Sequence, residues 1–256
     1  MNQGQETYHY GQGAVEIAER IGEGLGDWQW LGDVSELSVG LEDGTFAHRE
    51  SYSGVRREVR QIHNAVTASG NMVLHTLNTD IVALLTLGTA ATQASGTVTE
   101  ESLGNITAGD VVQLAHPGVS SLVITDSAGS PATIAATHYE FDVFGEIRFL
   151  TLPSGPAPTN PLKAAYAHTA YKTGTLLNRT RKEYALRYRG VNLAEESKPC
   201  EVMLFKVDVG LLQTLSLINN GEQLASSPVS FKPLADMSKA ADDALGQFGY
   251  MRTIDY

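Results

Sequence analysis

From residue 110 onward the chain is a succession of short runs rich in β-branched and aromatic residues: DVVQLAH, SLVITD, THYEFD, EIRFLTL, KAAYAHTAYK, KEYALRYRGV, CEVMLFKVDV and VSFKPLAD. Turn signals such as SAGSP and PSGPAPTNP separate them, the punctuation expected between antiparallel strands. In KEYALRYRG, Tyr184, Leu186 and Tyr188 alternate with Arg187 and Arg189, so one face packs and the other carries charge. In YEFDVFGEIRF a tight hairpin is expected to turn through Phe144 and Gly145. Many short strands with scarce helix predict an all-β fold, an antiparallel sandwich or barrel.

The first part of the chain fits the same class. AVEIAERIG reads as a first strand and GEGLGDW as a glycine-rich turn. In WQWLGDVSELSVGLE, Leu37, Val39 and Leu41 share one face while Glu36, Ser38 and Glu42 share the other, a strand packed on one side and wet on the other. From Asp43 the alternation dissolves into DGTFAHRESYSGVRREVRQ, and VTASGNMVLHTL resumes extended character. The expectation is a long charged inter-strand loop over about 43–66. One short helix is expected over about 79–87: Asn78 or Thr79 can cap it, Asp80 suits its first turn, and IVALLTL ends at Gly88. LPSGPAPTNP reads as a surface loop and not a domain boundary. At 256 residues the chain hides about 70–75% of its unfolded surface on folding. A single domain over 1–256 is expected, with an N-terminal arm over 1–10 and a C-terminal arm over 240–256.

Charge and motif content narrow the function classes. Eighteen basic against 29 acidic residues give a net charge of −11, which opposes general affinity for nucleic acid or anionic membranes. Cys200 is the one cysteine and lies in an apolar strand-like run, so a buried, inert thiol is expected. MNQGQETYHYGQG lacks the basic and apolar regions of a signal peptide, and IVALLTLG is far shorter than the ~18 residues of a membrane span. A soluble chain made in a reducing cytoplasm is expected, leaving the sequons at Asn105 and Asn178 unused. The histidines at 9, 48, 63, 75, 116, 138 and 168 form no HExxH pair or other close metal-ligand spacing. There is no GxGxxG, no GxxxxGK[ST] and no GxSxG. Adjacent carboxylates such as Glu42-Asp43, Glu195-Glu196 and Asp242-Asp243 point to opposite faces of a strand and read as solvated loops. His48 with Glu50 reads likewise as exposed charge. No catalytic residue, metal or cofactor is expected. Arg49, Arg56, Arg57 and Arg60 could touch phosphates, but Glu50 and Glu58 interleave with them. Mixed charge in close order suits a protein interface, where the guanidinium fork pairs with carboxylates. A solvated loop without a partner is the competing reading.

Taken in order, several segments resemble the tail tube (major tail) proteins of long-tailed bacteriophages, of siphophage or Mu-like type. YHYGQGAVEIAER and WLGDVSELSVGLEDGTFAHRESYSG resemble the family's opening strands and the start of its long loop. SGNMVLHTLNTDIVALLTLG is similar to the strand and short helix that follow. ATHYEFDVFGEIRFL carries the family's Y-x-x-D-x-x-x-G-x-I hairpin on Tyr139, Asp142, Gly145 and Ile147. EYALRYRGVNLAEESKPCEVMLFKVDV and LADMSKAADDALGQFGY resemble its closing segments. Each motif is weak alone; five in order span nearly the whole chain.

The resemblance implies a structural virion protein, not an enzyme, located in the phage tail after synthesis in the host cytoplasm. Such proteins form hexameric rings by setting sheets edge to edge, and the rings stack into a tube for genome delivery. The implied partners are further copies of the chain, the tape-measure protein, the tail terminator and the distal tail protein. DNA passes through the lumen without specific binding, and no membrane anchor or cofactor is implied. Glu36 and Glu42 are then candidate lumen-facing acids. Arg49, Glu50, Tyr52, Arg56, Arg57, Glu58 and Arg60 are candidate inter-subunit or inter-ring contacts. One alternative is another tail ring protein, a terminator or distal component. The other is a monomeric β-sandwich that binds carbohydrate through Trp28 and Trp30.

Overall fold

The computed structural model describes residues 7–218, 221, 224–240 and 246–254. In chain order the first elements are β1 (Gly11–Ile21), β2 (Gly24–Trp30), β3 (Val34–Arg49), β4 (Glu58–Leu74) and helix α1 (Thr79–Leu85). Next come β5 (Ala90–Gln93), β6 (Gly96–Gly104), β7 (Val111–Gln113), β8 (Val119–Thr125), β9 (Thr133–Ile134), β10 (Tyr139–Phe141), β11 (Glu146–Phe149), β12 (Leu162–His168) and β13 (Tyr171–Gly174). The last are β14 (Glu183–Asn192), β15 (Lys198–Val209), β16 (Ser227–Pro233) and β17 (Gly249–Thr253). The fold is all-β and antiparallel, with α1 as the one α-helix among the described residues. Among the described residues no helix is long and apolar enough to cross a membrane. Where the sequence reading expects one domain, the chain divides into two compact units: Met1–Thr89 with Thr175–Tyr256, and Ala90–Gly174. Of the expected arms, residues 1–6, 241–245 and 255–256 lie outside the described residues.

The first unit is built on an eight-stranded sheet ordered β2-β1-β14-β15-β16-β4-β3. β15 shares one edge between two strands: Val207–Val209 pair with β16, and Cys200–Leu204 pair with β17. Alternation decides which face is apolar. Val15 and Ile17 of β1, Leu186 of β14, Val207 of β15 and Val229 and Phe231 of β16 all point into one core. Helix α1 closes that core with Ile81 and Leu85. Its start is fixed as the sequence predicts, with the Asn78 side chain accepting from Ile81 N–H at 2.9 Å. Its end falls at Leu85, two residues short of the expected Leu87. Gly70 on β4 makes room for the Phe231 ring, since a Cβ there would lie 2.2 Å from it.

The charged tract departs most from expectation. β3 and β4 pair without interruption of the hairpin from Val34↔Leu74 to Arg49↔Glu58, with bulges near Gly44 and His48. Most of the loop expected over 43–66 is therefore strand, and only residues 50–57 turn. The reason is local. β4 pairs with β16 only from Gly70 to Leu74, so beyond Gly70 the two strands have only each other. With no core beneath them, neither face needs to be apolar, and the alternation that marks a strand is lost. GEGLGDW, read as a turn, likewise turns only at Gly22 and Glu23 and runs from Gly24 into strand β2 despite its glycines.

The second unit has its own core. Leu103, Ile124, Ile134, Leu162, Ala164 and Tyr166 come from one sheet, ordered β6-β12-β8-β9. Tyr139, Ile147 and Phe149 come from the other, ordered β10-β11-β7. The expected hairpin joins β10 to β11: Asp142 Oδ1 accepts from Phe144 and Glu146 N–H, both at 2.9 Å, and Gly145 takes φ +85°. That left-handed conformation suits glycine. The chain enters and leaves this unit through β5 and β13, which pair with each other from Gln93↔Tyr171 to Ala90↔Gly174.

Candidate functional site

The arm formed by β3 and β4 gathers most of the residues singled out in the sequence. Its tip is organised by one carboxylate. Glu50 is 5% exposed and accepts from the N–H groups of Ser53 at 2.8 Å, Tyr52 at 3.0 Å and Arg57 at 3.3 Å, and from the Ser53 hydroxyl. The Ser53 hydroxyl bond, with the backbone bonds, outweighs burial and holds the Glu50 carboxyl below the usual range. Glu50 is thus committed within its own turn, where it leaves Tyr52, Arg56 and Arg57 pointing outward. Gly54 and Arg56 adopt positive φ to close the turn. Arg49, Arg56, Arg57, Glu58 and Arg60 are all exposed, and Tyr52 is 86% exposed.

Apolar side chains stand exposed along the arm: Leu41 is 76% exposed, Val66 66% and Phe46 55%. Val39, Val59 and Ile62 are also exposed. Among the described residues both backbone edges are free as well. β3 is the last strand of its sheet, and β4 has no neighbour but β3 beyond Gly70. Asp43 and His63 meet across the arm beside the Gly44 bulge.

Glu36 and Glu42 are exposed on β3. Leu37 lies opposite the buried Met72, so the other row holds Glu36 with Ser38, Asn71, Ser69, Glu42 and Thr67. The structure therefore brings both acids to the face away from the core. Cations share that face. Glu16 of β1 receives Arg187 at 2.7 Å and Arg189 at 2.9 Å, and Lys206 meets Glu183 at 2.9 Å. Burial pushes the Glu16 carboxyl up, but the two guanidinium groups outweigh it and hold it below its ordinary value.

The two tryptophans are treated differently by the fold. Trp28 is partly buried beside Ala185, Met203 and Phe205, and the Arg187 guanidinium lies 4.1 Å from its ring centroid. Its face is therefore already covered. Trp30 is 61% exposed.

Three features escaped the sequence reading. Arg20 and Asp236 form a buried ion pair at 2.8 Å, closing a distance of 216 positions. His116 and His168 stack in the second unit. A cavity of about 360 Å³ lies where residues 7–9 cross the end of β14, and Cys200, 4% exposed as expected, lines it. No spacing signal reports any of them, because each joins residues from distant parts of the chain. Among the described residues no group of three or more His, Cys, Asp or Glu is placed to hold a metal ion.

Comparison with curated proteins finds no match for this chain. A family model does match, over residues 8–252, and the chain therefore belongs to the family described as "Protein of unknown function UCP028589".

Proposed function

We propose that this chain is a structural virion protein, the tail tube (major tail) protein of a long-tailed bacteriophage. It self-assembles into hexameric rings that stack into the channel for genome delivery. The observation that carries this reading is the arm: a long two-stranded hairpin with backbone edges unpaired among the described residues and with exposed apolar side chains, projecting from an open sheet. Such edges are a liability for a monomer, because unpaired N–H and C=O groups recruit another strand. Closing sheets edge to edge around a ring removes the liability by giving each edge a neighbour. The exposed cations and Glu58 at the arm tip then set register against another copy. Glu36 and Glu42 face the lumen, and the chain acts without cofactor or catalytic chemistry. Its partners are further copies, the tape-measure protein, the terminator and the distal tail protein, with DNA passing unheld.

Negative-stain electron microscopy of the purified chain across a concentration series tests this reading. Stacked rings or tubes with a central channel are expected. Single rings that never stack would favour a terminator or distal ring component instead. A monomer at every concentration, even when the terminator and tape-measure proteins are supplied, would sink the assembly reading.

A further inference from the structure

The arm carries its positive charge in a form that its own chain does not use. The side chains of Arg49, Arg56, Arg57 and Arg60 form no hydrogen bond or ion pair among the described residues. Glu50, which lies among them in sequence, is spent on the backbone N–H groups of its turn. Elsewhere in the first unit cations meet acids of the same chain: Arg20 binds Asp236, Lys182 binds Glu19, and Arg187 and Arg189 share Glu16. A chain of net charge −11 thus gathers four unspent guanidinium groups at the end of one hairpin.

The far edge of the same sheet carries the complement. β2 has β1 as its one neighbour among the described residues, so its outer edge is unpaired. Glu23, in the turn before β2, and Asp27, within it, are exposed and have no side-chain partner among the described residues. Arg20 does not compete for them, since Asp236 already holds it. Ile21, Leu25 and Trp30 stand exposed on the same segment. Little on β2 blunts the edge: it has no lysine or proline, and Gly24 and Gly26 present no side chain to an approaching strand. β2 and β3 end the path of one open sheet and do not pair with each other, so a single chain leaves both edges open. Joining them takes two copies head to tail, each giving its arm and receiving another's, the form of contact that closes rings.

We infer that the acidic outer edge of β2 receives the arm of a second copy, with Glu23 and Asp27 taking the arm's guanidinium groups and Leu25 and Trp30 covering its exposed apolar side chains. This rests on the assembly reading above and adds the surface that the arm meets. Backbone pairing supplies the hold, as when a strand joins a sheet edge, and opposite charges fix partner and register. Two arms, both basic, repel each other, which disfavours arm-to-arm pairing.

Charge reversal tests the docking, with assembly of the full chain followed in electron micrographs across a concentration series. Glu23→Arg with Asp27→Arg, and separately Arg56→Glu with Arg57→Glu, are each expected to raise the concentration needed for assembly at least about tenfold. All four substitutions in one chain restore the match and are expected to bring that concentration back to within about threefold of wild type. An equal mixture of the two reversed chains should assemble likewise, because each arm then finds an edge of opposite charge. Adding Glu36→Arg and Glu42→Arg to the Arg56→Glu, Arg57→Glu chain restores the net charge but not the β2 edge, and is expected not to rescue. Rescue by that chain, normal assembly of either reversed chain, or no recovery in the fourfold chain and the mixture overturns the docking while leaving tubes of the wild type in place. Should a reversed chain fail to fold, Glu23→Gln with Asp27→Asn keeps the shape and removes the charge, and an assembly concentration unchanged from wild type then overturns the docking. A wild type that never assembles, even with the terminator and tape-measure proteins, overturns the assembly reading and the docking with it.

Discussion

Arg20 and Asp236 hold the segment after β16 against β1 by a contact that water barely reaches. Arg20 Nη1 donates to Asp236 Oδ2 and to the Phe205 carbonyl, both at 2.8 Å, and Ser238 adds its hydroxyl to Asp236 Oδ1 at 2.7 Å. The side chains are 9% and 5% exposed. Removing one partner leaves the other charge buried and alone, so Asp236→Asn is expected to cost about 3–5 kcal/mol of stability, read from the urea midpoint. Burial pushes the Asp236 carboxyl up, but the Ser238 and Arg20 hydrogen bonds outweigh it and hold it below the ordinary value. The sign follows: the ionised carboxylate stabilises fully above its unfolded value of about 3.9, and the contribution is lost as pH falls through the lower folded value. The gap in midpoint between wild type and Asp236→Asn should therefore narrow below about pH 3; a constant gap would mean the charge is not what holds the segment. Gly70 makes a steric counterpart. A methyl group there meets the buried Phe231 ring, so Gly70→Ala is expected to destabilise by about 1–3 kcal/mol through overpacking.

At the scale of elements, the arm separates folding from assembly. Leu41 and Phe46 touch no core, so Leu41→Ser and Phe46→Ser are each expected to shift stability by less than about 0.5 kcal/mol. The same substitutions should suppress ring stacking in electron micrographs, if the arm is where copies meet. Strong unfolding by either would mean the arm is folded back on the body. The arm also marks where sequence reading reaches its limit. Alternation is clean in β16, where Val229 and Phe231 are buried against the exposed Ser230 and Lys232, whereas β14 and β15 were marked by their β-branched and aromatic content, since Ala185 with Leu186 and Met203 to Phe205 are buried on both faces. Local chemistry identified α1 through Asn78 and Asp80, and the β10–β11 turn through Asp142 and Gly145. β3 beyond Val39 has no buried face: the alternation read through Leu41 marks no packed side there, and from Asp43 on Phe46 and its charged neighbours gave no period to read. β17 was hidden for another reason: GYMRT is a strand only because Cys200–Leu204 offers it an edge far away in sequence. The candidate contacts were legible as a charged cluster, yet the role of Glu50 was not, since its partners are backbone N–H groups.

For the whole molecule, the division into two units was invisible in the sequence because composition does not change at either crossing. Thr89 and Thr175 make the crossing tight: Thr175 N–H donates to Thr89 O at 2.9 Å, and Thr89 N–H donates to Thr175 Oγ1 at 2.9 Å. Everything between them closes on the core of Ile124, Ile147, Phe149 and Leu162, while α1 and the large sheet close on that of Ile17, Met72, Ile81 and Phe231. Two cores with so little chain shared between them predict two unfolding steps, because cooperativity follows shared burial. Calorimetry of the full chain should resolve two transitions, and replacing residues 90–174 by a short turn should remove one and leave the other near its original temperature. The apposed threonines make that replacement geometrically mild, since their backbones are already at hydrogen-bonding distance. Loss of both transitions in the shortened chain would show that the large sheet depends on the second unit to fold. Retention of one, together with rings in the microscope, would place assembly in the sheet and its arm and leave the second unit free for a separate task.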